Sequence, residues 1–462
     1  MRYILVIWLT FCGLSIFGQQ KVYLADVEVV GLKHTRFHVV MNELDIAIGD
    51  SLDLTGLADV LQRNEQRLLS TGLFSLADIN IKHWDAEKGE IGLSLEVKES
   101  WYIYPAPIFE LADRSFNVWW KEMNCDFDRV NYGIRIDHLN LTGRKDKFKI
   151  KFQQGYTRKY ELEYNFPYLK GTWGVGAVIS YAENKELGFI TSGNKVLFRR
   201  KPDESTVLRR FRTGLTATKR ASAFAFHTLR MEYQYNSVDD VVVREWNPNY
   251  YPHGDNYIQF FRLLYVFRFN HTIFPTYPEG GYAMAFEALA DGLGLGNYNN
   301  LAGAAEFEAY TQPFKGFIVG GKIKAKWNFT RNKIPYSNYQ ALGYGSDVLR
   351  GYELYVMDGT DFAWLKTSAR LRLLDHNFNL GGTMPLKAFN VMPVRFFIKF
   401  TAETGYAADN FYAVHNPFSN RWLLGYGPGL DLLLYNNFLL SLEYNTNHVG
   451  ESAFYYKSKF NF

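Results

Sequence analysis

From about residue 102 to the end, the chain repeats one pattern: apolar and polar residues alternate, segment after segment, with no stretch of helical period. Phe148, Ile150 and Phe152 alternate with Lys149, Lys151 and Gln153. Leu229, Met231, Tyr233 and Tyr235 alternate with Arg230, Glu232, Gln234 and Asn236, and Leu440, Leu442 and Tyr444 with Ser441, Glu443 and Asn445. Residues 160–166, 322–329 and 454–462 read the same way. A period of two sends neighbouring side chains to opposite faces, so each segment is a strand with one apolar and one polar face. Such strands build either a soluble sandwich, dry inside, or a membrane barrel with a wet lumen. Three features favour the barrel. The polar face is charged in strand after strand. Aromatic residues, 17% of the chain, crowd the strand ends as interfacial girdles do. The N-terminus reads as an export signal, yet no 18-residue apolar span follows it. A closed barrel is the one kind of sheet that can cross lipid, because an open edge leaves backbone groups unpaired. About 360 residues, at about 22 per strand and connector, predict about 16 antiparallel strands, with 14 or 18 left open.

The export reading rests on Arg2, an apolar run over 3–17, and Gly18-Gln19-Gln20. These supply a positive start, a hydrophobic stretch and a small residue for cleavage near Gly18. Residues 1–18 are expected to be a signal peptide; the run is short for a membrane anchor. Its removal takes Cys12 with it and leaves Cys125 alone, so no intramolecular disulfide is expected. Fifty-one basic and 47 acidic residues give a net charge of +4, with no concentrated basic face for nucleic acid.

Between the leader and the alternating region, residues 21–100 predict a small α/β domain. A β-rich run over 22–30 ends at Gly31. Thr35 is placed to cap a short helix reaching about Leu44, and Asp53 a longer one. In the longer helix Leu57, Val60, Leu61 and Leu68 share a face broken by polar Asn64, and Gly72 suits the position after its end. Ala77, Ile79 and Ile81, then Ile91, Leu93, Leu95 and Val97, form a hairpin with one apolar face. The order is β-α-α-β-β, followed by a barrel over 101–462.

Chemical motifs are sparse. Gly316 to Lys322 matches a phosphate-loop spacing, but Ile323 follows where Ser or Thr is needed, and the segment continues as a strand. Lys322 is read as lumen-facing. Gly292-Leu293-Gly294-Leu295-Gly296 is read as a turn or loop. Asp137-His138 and Asp375-His376 are sequence neighbours, which on a strand face opposite ways. No Gly-x-Ser-x-Gly and no metal-ligand spacing is present, so catalytic, cofactor and metal sites are all expected to be absent. One constellation is richer. Leu349-Arg350-Gly351-Tyr352 lies in a glycine-rich loop, and Phe400-Thr401-Ala402-Glu403-Thr404-Gly405 is a later strand carrying an acid. A loop Arg and a wall carboxylate can pair bidentately. On composition alone the preferred reading is a surface Arg and an ordinary lumen Glu.

In these residues the chain resembles the Omp85 superfamily of outer-membrane assembly and translocation proteins, whose barrel is also called the bacterial surface antigen domain. The β-α-α-β-β domain is similar to a POTRA module, echoed in Gly31 to Thr35, Gly49-Asp50, Thr71-Gly72-Leu73-Phe74 and Val97-Lys98-Glu99. Arg350-Gly351-Tyr352 matches the R-G-F/Y motif of the inward-folded sixth loop. Phe400, Glu403 and Gly405 match its F-x-x-D-x-G wall partner, with Glu for Asp. The last strand, with Tyr456, Phe460 and a terminal Phe462, is similar to the signal by which such barrels are recognised for insertion. One POTRA module is counted, where the best-known insertases carry several.

The resemblance implies an outer-membrane factor that inserts or translocates polypeptides, with its POTRA module in the periplasm. Its partners would be outer-membrane lipids, unfolded outer-membrane protein clients and periplasmic accessory subunits. It implies work through a weak seam between the first and last strands, placed at residues 107–116 and 453–462, and through strand addition to the POTRA sheet. The alternatives are a passive pore or receptor, and a lumenal hydrolase for which no nucleophile–base pair is found.

Overall fold

A computed structural model of the chain describes residues 21–460 apart from 223, 275 and 382–389. The expected signal peptide and Phe462 lie outside the described residues. Residues through Ile103, together with Leu139–Asp146, make one compact unit, and the remainder makes a second.

The first unit runs β1 (Lys21–Val30), α1 (Phe37–Glu43), β2 (Ser51–Asp53), α2 (Leu57–Ser70), β3 (Phe74–Asp85) and β4 (Glu90–Glu99). Its sheet order is β2-β1-β4-β3, with β1 parallel to β4 and the other pairs antiparallel. The short β2 is an addition to the expected order. The apolar residues of β4, Ile91, Leu93, Leu95 and Val97, meet Val39 and Val40 of α1 and Leu68 of α2 in one core. Each fully buried aliphatic side chain contributes about 1.5–3 kcal/mol. The polar break in α2 has a structural use. Asn64 is fully buried; its Oδ1 accepts from the Asp45 N–H at 2.7 Å, and its Nδ2 donates to the Val60 carbonyl at 2.8 Å and to the Asp45 carboxylate.

Two caps differ from expectation. Arg36, not Thr35, precedes α1, and no side chain caps that helix. The Thr35 hydroxyl is engaged elsewhere, by Tyr102 at 3.0 Å and by Asn140 at 2.8 Å. Asp53 accepts from the Thr55 N–H at 3.0 Å, capping a 3₁₀ turn, Leu54–Gly56, that leads into α2. Two of the four stretches that echo the module, 31–35 and 97–99, meet. Gly31, at φ +96°, passes so close to β4 that a Cβ would lie 1.9 Å from the Val97 carbonyl oxygen. The turn this allows aims the N–H groups of Lys33, His34 and Thr35 at the Glu99 carboxylate, at 3.2, 3.0 and 2.6 Å.

The second unit starts with β5 (Ile103–Leu111), a short helix α3 (Phe116–Lys121), β6 (Val130–Leu139), β7 (Lys147–Gly155), β8 (Thr157–Lys170) and β9 (Trp173–Asn184). A hairpin, β10 (Glu186–Ser192) and β11 (Lys195–Arg200), follows. Then come β12 (Leu208–Arg220), β13 (Ala225–Val238), β14 (Tyr257–Ile273), β15 (Gly280–Gly296), β16 (Asn300–Phe314) and β17 (Phe317–Asn328). A small pair, β18 (Gln340–Leu342) and β19 (Met357–Asp358), precedes β20 (Asp361–Asn379), β21 (Val391–Ala408), β22 (Leu423–Leu434), β23 (Phe438–Asn447) and β24 (Ser452–Phe460). Sixteen of these form one sheet, ordered from β24 through β20, β17 to β12 and β9 to β5. Its strands pair antiparallel, as in β12–β13, β14–β15, β20–β21 and β23–β24. That is the strand number expected from length.

The sheet is rolled. Its two ends return to each other, for Asn117, just beyond β5, bonds the backbone of Tyr456 in β24. Alternation becomes inside and outside: in β22 Leu423, Gly425, Gly427, Gly429 and Asp431 are buried, while Leu424, Tyr426, Pro428 and Leu430 are exposed. Short turns, such as 171–172 and 315–316, join strands at one end; the long loops, such as 185–207 and 329–360, gather at the other. Three of those loops interlock at Asn194, the fully buried tip of the β10–β11 hairpin. Its backbone N–H donates to Asn416, its Oδ1 accepts from the Phe418 N–H, and its Nδ2 donates to the Val356 carbonyl, all within 2.9 Å.

Two expectations are corrected here. The glycine-rich 292–296 segment is no free loop but the end of β15, kinked by positive φ at Gly292, Leu293, Gly294 and Gly296. The first seam strand stops at Leu111, because Asp113 turns to Arg129 at 2.7 Å and Ser115 starts α3. Among the described residues no helix is long and apolar enough to cross a membrane.

Candidate functional site

The pairing β18–β19 folds the long 329–360 loop back on itself, and Gly343 and Gly351, both at positive φ, shape the segment that carries Arg350. Arg350 grips two carboxylates. Its Nε and Nη2 donate to Glu443 Oε2 and Oε1 at 3.0 and 2.8 Å, a two-pronged fork. Its Nη1 donates to Glu403, whose other oxygen accepts the Arg350 backbone N–H at 3.0 Å. Glu403 and Glu443 are each 1% exposed.

The wall behind them is built for this. Glu403 and Lys399 lie four residues apart on β21 and so share the inner face. Across the sheet, Glu403 stands opposite Gly425, and Lys399 opposite Gly429, which in turn faces Glu443 of β23. The missing side chain at Gly429 lets Lys399 reach Glu443 at 2.6 Å; a Cβ there would lie 2.7 Å from the lysine Cε. A Cβ at Gly425 would lie 1.7 Å from the Arg350 carbonyl oxygen. The inner glycines of β22 therefore form a groove in which the loop's main chain lies against the wall. Lys399 also meets Asp431 at 2.6 Å, and Lys457 meets Glu443 at 3.0 Å and Glu353 at 3.3 Å. Each dry charge thus has an opposite partner, which is what makes its burial tolerable.

Of the residues singled out in the sequence, Arg350, Glu403 and Gly405 meet. A Cβ at Gly405 would lie 2.8 Å from Leu349 Cδ1. Gly351 abuts β23, where a Cβ would lie 2.9 Å from the Asn447 nitrogen. Tyr352 is fully buried, edge-on to Phe418 with its hydroxyl on His448. Phe400, three residues from Glu403, is on the other face and half exposed, away from Arg350. Tyr456 lies on the outer face of β24, and Phe460 closes that strand. Lys322 sits mid-strand in β17, paired with Glu306 at 2.6 Å, in no phosphate-loop setting. Glu443, Lys399, Asp431 and Lys457 were not singled out. The available signal was Gly425-x-Gly427-x-Gly429, glycine at period two on one face of a strand. Among the described residues no group of three His, Cys, Asp or Glu is placed to hold a metal ion.

Residues 22–100 match the family model described as POTRA, surface antigen variable number repeat. Among solved structures, the chain is similar to BamA from Haemophilus ducreyi lacking POTRA domains 1–3, at 13% identity and a TM-score of 0.58, covering 95% of this chain and 84% of that one. It is also similar to CdiB from Acinetobacter baumannii, at 12% identity and TM-score 0.51, covering 95% and 73%, and to CdiB from Escherichia coli, at 10% and 0.50, covering 96% and 91%. At such identities the likeness is one of fold. A comparison with curated protein sequences finds no match.

Proposed function

Starting from a chain with the Omp85 fold, a POTRA module followed by a sixteen-stranded barrel, we propose that it resides in the bacterial outer membrane and inserts or translocates other polypeptides there. Its POTRA module would lie in the periplasm, where accessory subunits would meet it, and its clients would be unfolded outer-membrane proteins. The reading rests on one observation above the others: the 329–360 loop is held against the inner wall by Arg350, Glu403 and Glu443. A lumen occupied by a clamped loop, beneath loops interlocked at Asn194, does not suit a wide passive pore. The barrel's usable chemistry then lies at its strand edges, where backbone N–H and C=O groups can template an incoming strand without any cofactor.

Reconstitution tests this. Purified protein in liposomes should speed the folding of a urea-unfolded model barrel protein, read as a heat-modifiable gel shift, several-fold over empty liposomes. A wide, steady conductance that persists without the POTRA module, with no faster client folding, would replace this reading by a pore.

A further inference from the structure

The edge of β24 is not left bare. β5 and β24 stand at the two ends of the strand order. Along an antiparallel strand, the backbone groups of successive residues point to opposite edges. Tyr456, opposite Leu442 of β23, sends its own N–H and C=O outward, away from that strand. Both are taken by one side chain. Asn117, the second residue of α3, accepts from the Tyr456 N–H at 3.1 Å and donates to the Tyr456 carbonyl at 3.2 Å. A carboxamide carries the same acceptor and donor that a residue of a neighbouring strand would offer to this edge.

The helix straddles the strand. Phe116 packs edge-on against Tyr456 on the outer face, at 5.6 Å, and Lys121 lies over the ring of inward Tyr455, at 5.4 Å. Ser115 Oγ accepts from the Val118 N–H at 3.2 Å and fixes the first turn. Asn117 is 5% exposed, while Trp120, stacked on Phe116 at 5.7 Å, is 58% exposed. Six residues are too few to hold a helix by themselves, so α3 is ordered by what it packs against. Its contacts with β24 are neutral hydrogen bonds, a ring contact and one cation over a ring, unlike the doubly clamped Arg350.

We propose that α3 is a removable stand-in for a strand: it masks the outer edge of β24 at Tyr456, and an extended client segment adds to that edge by displacing the Asn117 carboxamide. The occupant is a β-strand because the groups it must replace are one acceptor and one donor at strand spacing. The client part of this inference rests on the assembly reading above; the masking part does not.

The test separates them. In full-length protein in nanodiscs, Asn117→Ala should raise amide exchange at Tyr456 at least tenfold, with Tyr455 and Lys457 unchanged. Asn117→Asp, nearly isosteric, keeps the acceptor and sets an oxygen against the Tyr456 carbonyl, so it should do the same in part. Unchanged exchange in both variants overturns the mask, whatever the client assay gives. In a Cys125→Ser background, Phe116→Cys and Tyr456→Cys are then joined by a reducible bifunctional thiol reagent. The joined protein should lose its acceleration of client folding and regain it on reduction. Equal acceleration when joined overturns displacement. If the unjoined protein never accelerates folding, the assembly reading falls, and the exchange result still decides the mask.

Discussion

β4 and β23 are strands of ten residues each, and they bury opposite halves of the same alternation. β4 turns Ile91, Leu93, Leu95 and Val97 to a dry core and leaves Glu96 and Lys98 exposed. β23 turns Ser441, Glu443, Asn445 and Asn447 inward and leaves Leu442 and Tyr444 exposed. The difference teaches that burial alone does not say what a position tolerates. In β4 the neighbours are methyl groups; in β23 they are Arg350, Lys399 and Lys457, and a carboxylate is what balances them.

The comparison can be broken most forcefully from the β4 side. Leu93→Glu buries an unpaired carboxylate, at a penalty of several kcal/mol, comparable with the whole stability of so small a unit. Residues 21–100 should lose their amide-exchange protection in the full-length protein while the sixteen-stranded sheet keeps its own; retained protection would mean the module's core is wet. The converse substitution, Glu443→Leu, would stabilise β23 if its lumen behaved like a core. Instead it should cost about 3–5 kcal/mol, because three cations lose their shared partner. Urea unfolding in detergent micelles, followed by tryptophan fluorescence, measures this, and a gain in stability would refute the balance drawn here. Gly425→Val probes the same wall without touching charge. Its side chain would collide with the Arg350 carbonyl and displace the loop, an overpacking effect of about 1–3 kcal/mol. A protease that cuts within 329–360 should cleave this variant faster than wild type, and equal rates would show that the groove is not needed.

The smallest effect sharpens the contrast through pH. Burial alone would raise the Glu99 carboxyl, but the N–H groups of Thr35 and His34, with Lys33 beyond, outweigh it and hold the group below the usual glutamate range. A depressed folded value means stability that is present above the ordinary glutamate value and is lost as pH falls through the lowered one. Exchange protection of residues 21–100 should therefore decline on acidification, and Glu99→Gln should flatten part of that decline. An identical slope in both proteins would remove Glu99 as the cause.

What the sequence disclosed follows the range over which each signal acts. Alternation is a property of single strands, so strand character and the inward direction of Glu443 were readable, and chain length set the strand number. Arg350 and Glu403 could be picked out as a motif. Which inward charges meet was not readable, because Lys399, Glu443 and Lys457 become neighbours through register across four strands, and any inward charge looks like any other. Helix α3 was missed for a different reason. Phe116-Asn117-Val118-Trp119-Trp120 carries no helical period that six residues could display, and its order comes from β24, over 330 residues later. Thr35 failed as a cap because Tyr102 and Asn140, distant in sequence, claim its hydroxyl.

Asn194 gives the outer cap a mechanical character. Its carboxamide binds the backbone at Val356 and Phe418, and Val356 lies only a short way along the loop from Arg350. The hairpin tip and the guanidinium fork are therefore anchored to the same short stretch of chain, residues 350–356.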